Sequence, residues 1–448
     1  MSAARRIAVA VSGGRDSTAL WHATSHAAAA CGQAIEVVGL HVHHGLQAHA
    51  DDWLAHLKRQ AKRWKTSGLP VSLQWRILKT RPVHGDSVEA WARRERYAAL
   101  GDMAREAGID AVLLAHHQRD QAETFLLQAL RGAGPAGLAA MPRAAQRAGI
   151  KWLRPWLAQP SEAIDSYVRR FRLGHIEDPS NTRHEFARSR LRLEVWPVLD
   201  GHFEQAAQCL AASAARAHEA AECLHELASI DLQAPCVDDE GLVLDAWGKL
   251  SMARRGNALR AWLAQQLQGG VPESLVQRLL SELPRVKLAR WPASAGELRL
   301  HDGRLRFSEA TMPAPRPPPR RLDLSQAGDH SVDEWGGTFE VRLAAGPGLA
   351  PQQLRDCELR TRSGGERFQS APASLPRSLK KQYQAARVPA WGRGGPLVYS
   401  DGQLLFVPGL GIDARRCAPP APPVTPALHL RWVPHTGKGA AKGAASSR

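Results

Sequence analysis

Residues 8–20 read AVAVSGGRDSTAL, and the fold turns on this stretch. An apolar run of small residues stops at Ser12-Gly13-Gly14, and a helix-like run follows two residues later. Paired glycines let a backbone turn sharply and approach a ligand closely. A Gly-rich turn between a strand and a helix is a phosphate cradle, because free N–H groups and the helix dipole both favour an anion. The stretch has no Lys where GxxxxGK(S/T) needs one, and no GxGxxG spacing. Two common nucleotide motifs are thereby excluded.

Composition bounds the partners. The chain has 448 residues, 44% of them hydrophobic, enough for several cores. Lys plus Arg outnumber Asp plus Glu by 59 to 43, a formal charge of +16. Such an excess points to a polyanion such as nucleic acid, with solubility or a GC-rich genome as the alternative. Six cysteines (Cys31, Cys209, Cys223, Cys236, Cys357, Cys417) include no CxxC pair, so neither a zinc ribbon nor a redox motif is written here. Arg5 and Arg6 precede an apolar run too short for a signal peptide. No run approaches the ~18 apolar residues of a membrane span. The expectation is a soluble cytoplasmic protein without membrane contact.

Strand-like and helix-like runs alternate through the first part. RIAVAV, IEVVGLHVHH, LPVSLQWRI and IDAVLLAHH read as strands, and helical segments follow each of them. This alternation predicts a mainly parallel sheet with helices on both faces. Ligands then sit at the carboxyl ends of the strands, where SGGRDS, HVHHG and HHQRDQ emerge. The spacing predicts a helical middle domain over 201–312. TMPAPRPPPRR breaks it, because consecutive prolines favour an extended linker. A linker with connecting strands over 313–350, a small α+β domain over 351–430 and a disordered basic tail over 431–448 complete the expected organisation.

SGGRDS closing a first strand resembles the loop of the N-type ATP pyrophosphatases, which split ATP into AMP and pyrophosphate. LHVHHGL (40–46), DSVEAWARRERY (86–97), AHHQRDQAETFLLQALRGAGPAGLAAM (115–141), RPWL (154–157) and EDPSN (177–181) follow in order. With RTRSGGERF, LKKQYQAARVPAW and VPGLGI near the end, the chain resembles the tRNA(Ile)-lysidine synthetase family. The resemblance implies an α/β, Rossmann-like N-terminal domain over 1–200 of the adenine nucleotide alpha hydrolase type, and tRNA binding by the domains over 201–312 and 351–430. It implies a ligation in which ATP adenylates the wobble cytidine of the CAU anticodon of tRNA(Ile). Free L-lysine then displaces AMP to give lysidine, changing the codon read from AUG to AUA.

The residue types suit that chemistry. Ser12, Gly13, Gly14, Arg15, Asp16 and Ser17 are the candidate ATP loop. An acid inside an anion site needs a cation, so Asp16 is assigned to Mg²⁺; the alternative is a cap on the following helix. Asp120 and Glu123, at i and i+3 of one helix face, are assigned to lysine binding and to uptake of its proton, or else merely complement the helix dipole. His41 and His116 are expected near the nucleotide and its phosphates. His117 is the alternative to His116 near the phosphates, and a metal cluster of these three with His43 and His44, or plain packing, is the competing reading. Arg93, Arg96, Arg188, Arg192, Arg362, Arg367, Lys380 and Lys381 are candidate tRNA contacts, with Tyr383 and Trp391 expected to stack on bases. The family's RN-x-x-R appears here with Ser189 in place of Asn, its HGLR with Gln47, and its acid before Asp120 as Arg119. A thiolase of the same superfamily uses paired cysteines or an iron–sulfur cluster, which the absence of CxxC disfavours; a non-catalytic RNA-binding protein is disfavoured by the intact SGGRDS and DQAET. A homodimer is left open.

Overall fold

The computed structural model of the chain describes residues 5–43, 50–78, 88–177, 187–309, 317–344, 346–417 and 427–435. His44, Gln47, residues 178–181, linker residues 313–316 and the tail from 436 lie outside them. Two compact units divide the chain, Met1–Leu227 and Ala228–Arg448.

The first unit is a six-stranded sheet. In chain order its elements are β1 (Arg5–Ala10), α1 (Arg15–Ala30), β2 (Ile35–His43), α2 (Ala50–Thr66), β3 (Val71–Ile77), α3 (Val88–Glu106), β4 (Ala111–Leu113), α4 (Gln118–Ala129), α5 (Pro135–Leu138), β5 (Ala144–Arg147), β6 (Ile150–Leu153), α6 (Ser161–Phe171), α7 (Ala187–Arg190) and α8 (Trp196–His202). The strand order is β3-β2-β1-β4-β6-β5. All pairs are parallel except the β5–β6 hairpin. The chain winds one way from β1 to β3, then crosses to β4 on the other side of β1. The order therefore reverses between β1 and β4, which opens a crevice at their carboxyl ends. SGGRDS leaves β1 there, and HHQRDQ leaves β4.

Alternation along the buried strands feeds two cores. Val9 and Val37 face Trp21, Leu57, Trp64, Ile164 and Val168 from α1, α2 and α6. Ala8, Val38, Leu40 and Val112 face Leu100, Met103 and Ala104 from α3. Gly39 is dictated by this packing, since a Cβ there would stand 2.8 Å from the Trp21 ring. The expected fourth strand is shorter than IDAVLLAHH: only Ala111–Leu113 pairs, and Leu114–His117 runs out of the sheet toward the crevice.

The second unit begins within the helix Ala206–Asp231. The region to 312 holds the expected helices, including Met252–Gln266 and Glu273–Glu282. It also holds a five-stranded antiparallel sheet that the helical reading did not include. GELRLH and RLRFSE supply its centre, and Leu298, Leu300 and Leu305 are wholly buried beside Trp262 and Trp291. Arg and Glu occupy the alternate positions, the apolar/polar alternation of a half-buried strand. Farther on, Leu324, Val332, Phe339 and Val341 share one core with Leu359, Phe406 and Leu430. The strands expected as connections within 313–350 thus belong to the C-terminal core, and the last strand, Leu428–Pro434, crosses the expected start of the tail.

His22 lies on the core side of α1, between Trp64 and Phe171, with each ring 5.0 Å away. Its Nδ1 is 2.9 Å from the Tyr167 hydroxyl, and its Nε2 3.2 Å from that of His26. Burial, helped by the charges of His26 and Arg63, pushes its pKa down to about 4. The unfolded chain, with histidine near ~6.5, takes up this proton first. The stability tied to neutral His22 is intact above pH ~6.5 and drains away as pH falls toward 4. His22→Gln, which cannot titrate, should show a smaller drop in urea midpoint between pH 7 and pH 5 than the wild type. Equal drops in the two proteins would contradict the assignment.

Candidate active site

The turn after β1 is shaped by one glycine. Gly13 has φ +92°, and a Cβ there would stand 2.8 Å from Ile176 Cδ1. The Ile176 amide donates to the Gly13 carbonyl at 2.9 Å, closing the loop against the segment before residue 178. The Ser12 and Ser17 hydroxyls lie 3.1 Å apart, and the Gly14 amide and the Ser17 hydroxyl complete the turn. Gly14 is the N-cap of α1 and brings no side chain to cap it. The first-turn amides of α1 therefore face the crevice as donors. Asp16, inside the helix rather than at its cap, does not fill the capping alternative.

Asp16 stands between two donors. Arg15 Nε donates to its Oδ1 at 2.8 Å, and His117 Nε2 is 3.6 Å from its Oδ2. Burial works against this charge, but His117 and Arg15 outweigh it and hold the carboxyl below its ordinary range. Mg²⁺ takes oxygen donors, commonly one or two carboxylates together with substrate phosphates. One part-exposed carboxylate beside an anion turn fits that donor set. No group of three or more metal-binding side chains occurs among the described residues.

The start of α4 forms the opposite wall. His117 is its N-cap and accepts the Arg119 amide at Nδ1, while Asp120 Oδ2 accepts the His117 amide at 3.1 Å. With Nδ1 so used, the neutral ring carries its proton on Nε2, which is 3.6 Å from Asp16 and 3.6 Å from Asp120. Burial opposes a charged His117, yet these two acids raise its pKa. Gln121 ties the helix to the Gly-punctuated loop: its amide donates to Met141 O at 2.9 Å and accepts the Met141 amide at 3.0 Å.

Asp120 and Glu123 are buried, Glu123 completely. Arg188 Nε donates to Glu123 at 2.9 Å and its NH2 to Asp120 at 3.0 Å. Arg192 repeats the pattern at 2.8 Å to each. The two arginines stand at i and i+4, and a π-turn over Leu191–Val195 follows between α7 and α8. Burial disfavours the Asp120 charge, but His117, Arg188, His116 and Arg192 more than compensate and depress its pKa. The guanidinium groups of Arg188 and Arg192, expected as tRNA contacts, are engaged with the carboxylate pair in this structure. The available signal was a pair of acids three apart and a pair of arginines four apart, each able to share one helix face.

The remaining candidates scatter. His41 is buried with Nδ1 2.9 Å from the Val11 carbonyl at the end of β1, and burial lowers its pKa. His116 faces Arg154, whose Nε is 3.3 Å from its Nδ1. Burial, with Arg154, Arg188 and Arg93, pushes it to about 3 despite Asp120, so it is neutral. Arg93 is exposed, but Arg96 is half-buried and its pKa is lowered by burial. In the second unit Arg362, Arg367, Lys380 and Lys381 are exposed. Tyr383 is not a stacking platform: it is buried, and its hydroxyl donates to Pro408 O at 2.9 Å. Trp391 is half-buried, with Arg299 over its ring at 5.5 Å. Arg154 and Asp165 are the site residues that sequence reading missed.

The PP-loop domain family matches residues 2–199, and the TilS substrate C-terminal domain family matches residues 357–432. The tRNA(Ile)-lysidine synthase of Ralstonia nicotianae is 37% identical over 96% of this chain and 93% of its own length. That of Chromobacterium violaceum is 36% identical over 92% of each. Among solved structures, the U34-tRNA thiolase NcsA of Methanococcus maripaludis is similar over 53% of this chain and 75% of its own, with a TM-score of 0.40 and 12% identity. None of the six cysteines is in a disulfide, and Cys236 and Cys357 are buried. With a PP-loop turn, an acidic helix start beside it and relatives alike over nearly the whole length, the chain belongs to the tRNA(Ile)-lysidine synthase family.

Proposed function

We propose that this chain is the ligase that joins lysine to the wobble cytidine of tRNA(Ile), using ATP and releasing AMP and pyrophosphate. The observation that carries this reading is the continuous contact chain Asp16–His117–Asp120. It sets an anion turn directly beside a buried pair of carboxylates. In this reading Ser12, Gly13, Gly14, Ser17 and the backbone amide of Arg15 cradle the triphosphate, while the Arg15 side chain is taken up by Asp16 and Asp165. Asp16 would hold Mg²⁺, which supplies charge neutralisation at the phosphates.

Cytosine's ring carbonyl is a poor electrophile, and its adenylation turns the oxygen into part of a leaving group. The attacking ε-amine has a free pKa near ~10.4, so its reactive form lies about 3.4 units away at pH 7, on the order of 4–5 kcal/mol. Asp120 and Glu123 receive the lysine. The pair also takes the proton that the lysine ammonium loses before attack. The fixed charges of Arg188 and Arg192 offer another route, since a neighbouring cation favours the neutral amine. Exposed Arg362, Arg367, Lys380 and Lys381 would meet tRNA phosphates.

Asp16→Ala should abolish pyrophosphate release from ATP and tRNA(Ile). Glu123→Gln should still adenylate but accumulate adenylated tRNA, with lysidine missing from the digested product by mass analysis. Lysidine formed at wild-type rates by either variant would sink the assigned role. For the C-terminal cations, Arg362→Gln/Arg367→Gln/Lys380→Gln/Lys381→Gln should flatten the slope of log affinity against log salt by roughly 3 in filter binding, at ~0.7–0.9 per contact. An unchanged slope would show that these side chains do not touch the tRNA.

A further inference from the structure

Arg15 lies inside the SGGRDS loop, at the first residue of α1. A cation at a helix N-terminus opposes the dipole, so its placement calls for compensation. Two acids provide it. Arg15 Nε donates to Asp16 Oδ1 at 2.8 Å, and Arg15 NH1 donates to Asp165 Oδ1 at 2.5 Å. Asp165 comes from α6, 150 positions later, on a helix that packs against α1. All three side chains are about one-third exposed, so the guanidinium is free to redistribute between its partners.

We infer that Asp165 is a positioning residue for the loop: Arg15 and a divalent ion are alternative partners of Asp16, and Asp165 draws Arg15 aside. The inference rests on the reading of the loop as a Mg²⁺–ATP site. It follows from charge. A carboxylate bonded by a guanidinium is a poorer ligand for a cation, and a second carboxylate sharing that guanidinium lowers what the ion must displace. Removing Arg15 should thus ease ion binding. Removal of Asp165 should hinder it, because Arg15 then belongs to Asp16 alone.

The test is calorimetric binding of a non-hydrolysable ATP analogue to the full-length protein across a Mg²⁺ series. Arg15→Gln should lower the half-saturating Mg²⁺ concentration about two- to fivefold, the scale of a part-exposed ion pair. Asp165→Asn should raise it by a similar factor, and Asp165→Glu should restore it. Because Asp165 also acts through its own field, the double variant decides. Arg15→Gln/Asp165→Asn should match Arg15→Gln alone. Shifts of both single variants in one direction, or a double variant that adds the full Asp165→Asn effect, would overturn the inference. Failure of the wild type to bind the analogue at any Mg²⁺ level would overturn the functional reading and this inference together. Urea midpoints of the single variants, expected near the wild type, separate an altered loop from an altered fold.

Discussion

Two buried carboxylates beside an anion-binding turn can coexist only if something neutralises them. At the start of α4, Asp120 and Glu123 are held by Arg188 and Arg192, each arginine bridging both acids. Deleting one side of such an arrangement strands a buried charge, a loss of about 3–5 kcal/mol in comparable cases. The pairing therefore does more than organise a pocket. It obliges the segment 187–202 to lie on α4, and the π-turn over Leu191–Val195 is where that segment's helix departs from regular geometry. π-turns inside helices are frequent at functional sites.

The sheet supplies the other half of the arrangement. Strand order reverses between β1 and β4, so the loops leaving those strands share one crevice. Asp16 leaves from one and His117 from the other, and they meet at 3.6 Å. Hydrogen-bond donors and carboxylates then alternate across the crevice, from Arg15 to Asp16, His117, Asp120 and the paired arginines. Against their burial, Asp16 and Asp120 are held low and His117 is raised by these neighbours, whereas burial itself, with the cations beside it, lowers His116.

Local features were legible in the sequence, and long-range ones were not. SGGRDS and HHQRDQAET announce themselves because backbone geometry fixes them: Gly13 has to adopt φ +92°, and Asp120 has to close a capping box three residues from His117. The alternating elements of the first unit were readable because the buried run VVGL of β2 is wholly apolar. Pairing over 65 to 72 residues, as between Arg188 or Arg192 and the acids, leaves no local periodicity. Arg15 and Asp165 are farther apart still. The sheet in the middle of the chain did carry the strand alternation, Leu298-Arg299-Leu300 and Leu305-Arg306-Phe307, but in short runs between Ala-rich helices. Tyr383 looked like a surface aromatic because basic residues surround it in sequence; Arg362 and Arg393 also lie over its ring in space, yet the ring itself is buried.

The central claim is that fixed arginine charge beside the carboxylate pair makes the bound lysine amine nucleophilic near neutral pH. The direct measurement is the pH dependence of lysine transfer in a single turnover from preformed adenylated tRNA, wild type against Arg192→Gln. The account predicts that the rate in the variant rises with a higher apparent pKa, so that it is slow at pH 7 and approaches the wild type at alkaline pH. A variant with an unshifted pH profile, whatever its absolute rate, would contradict it.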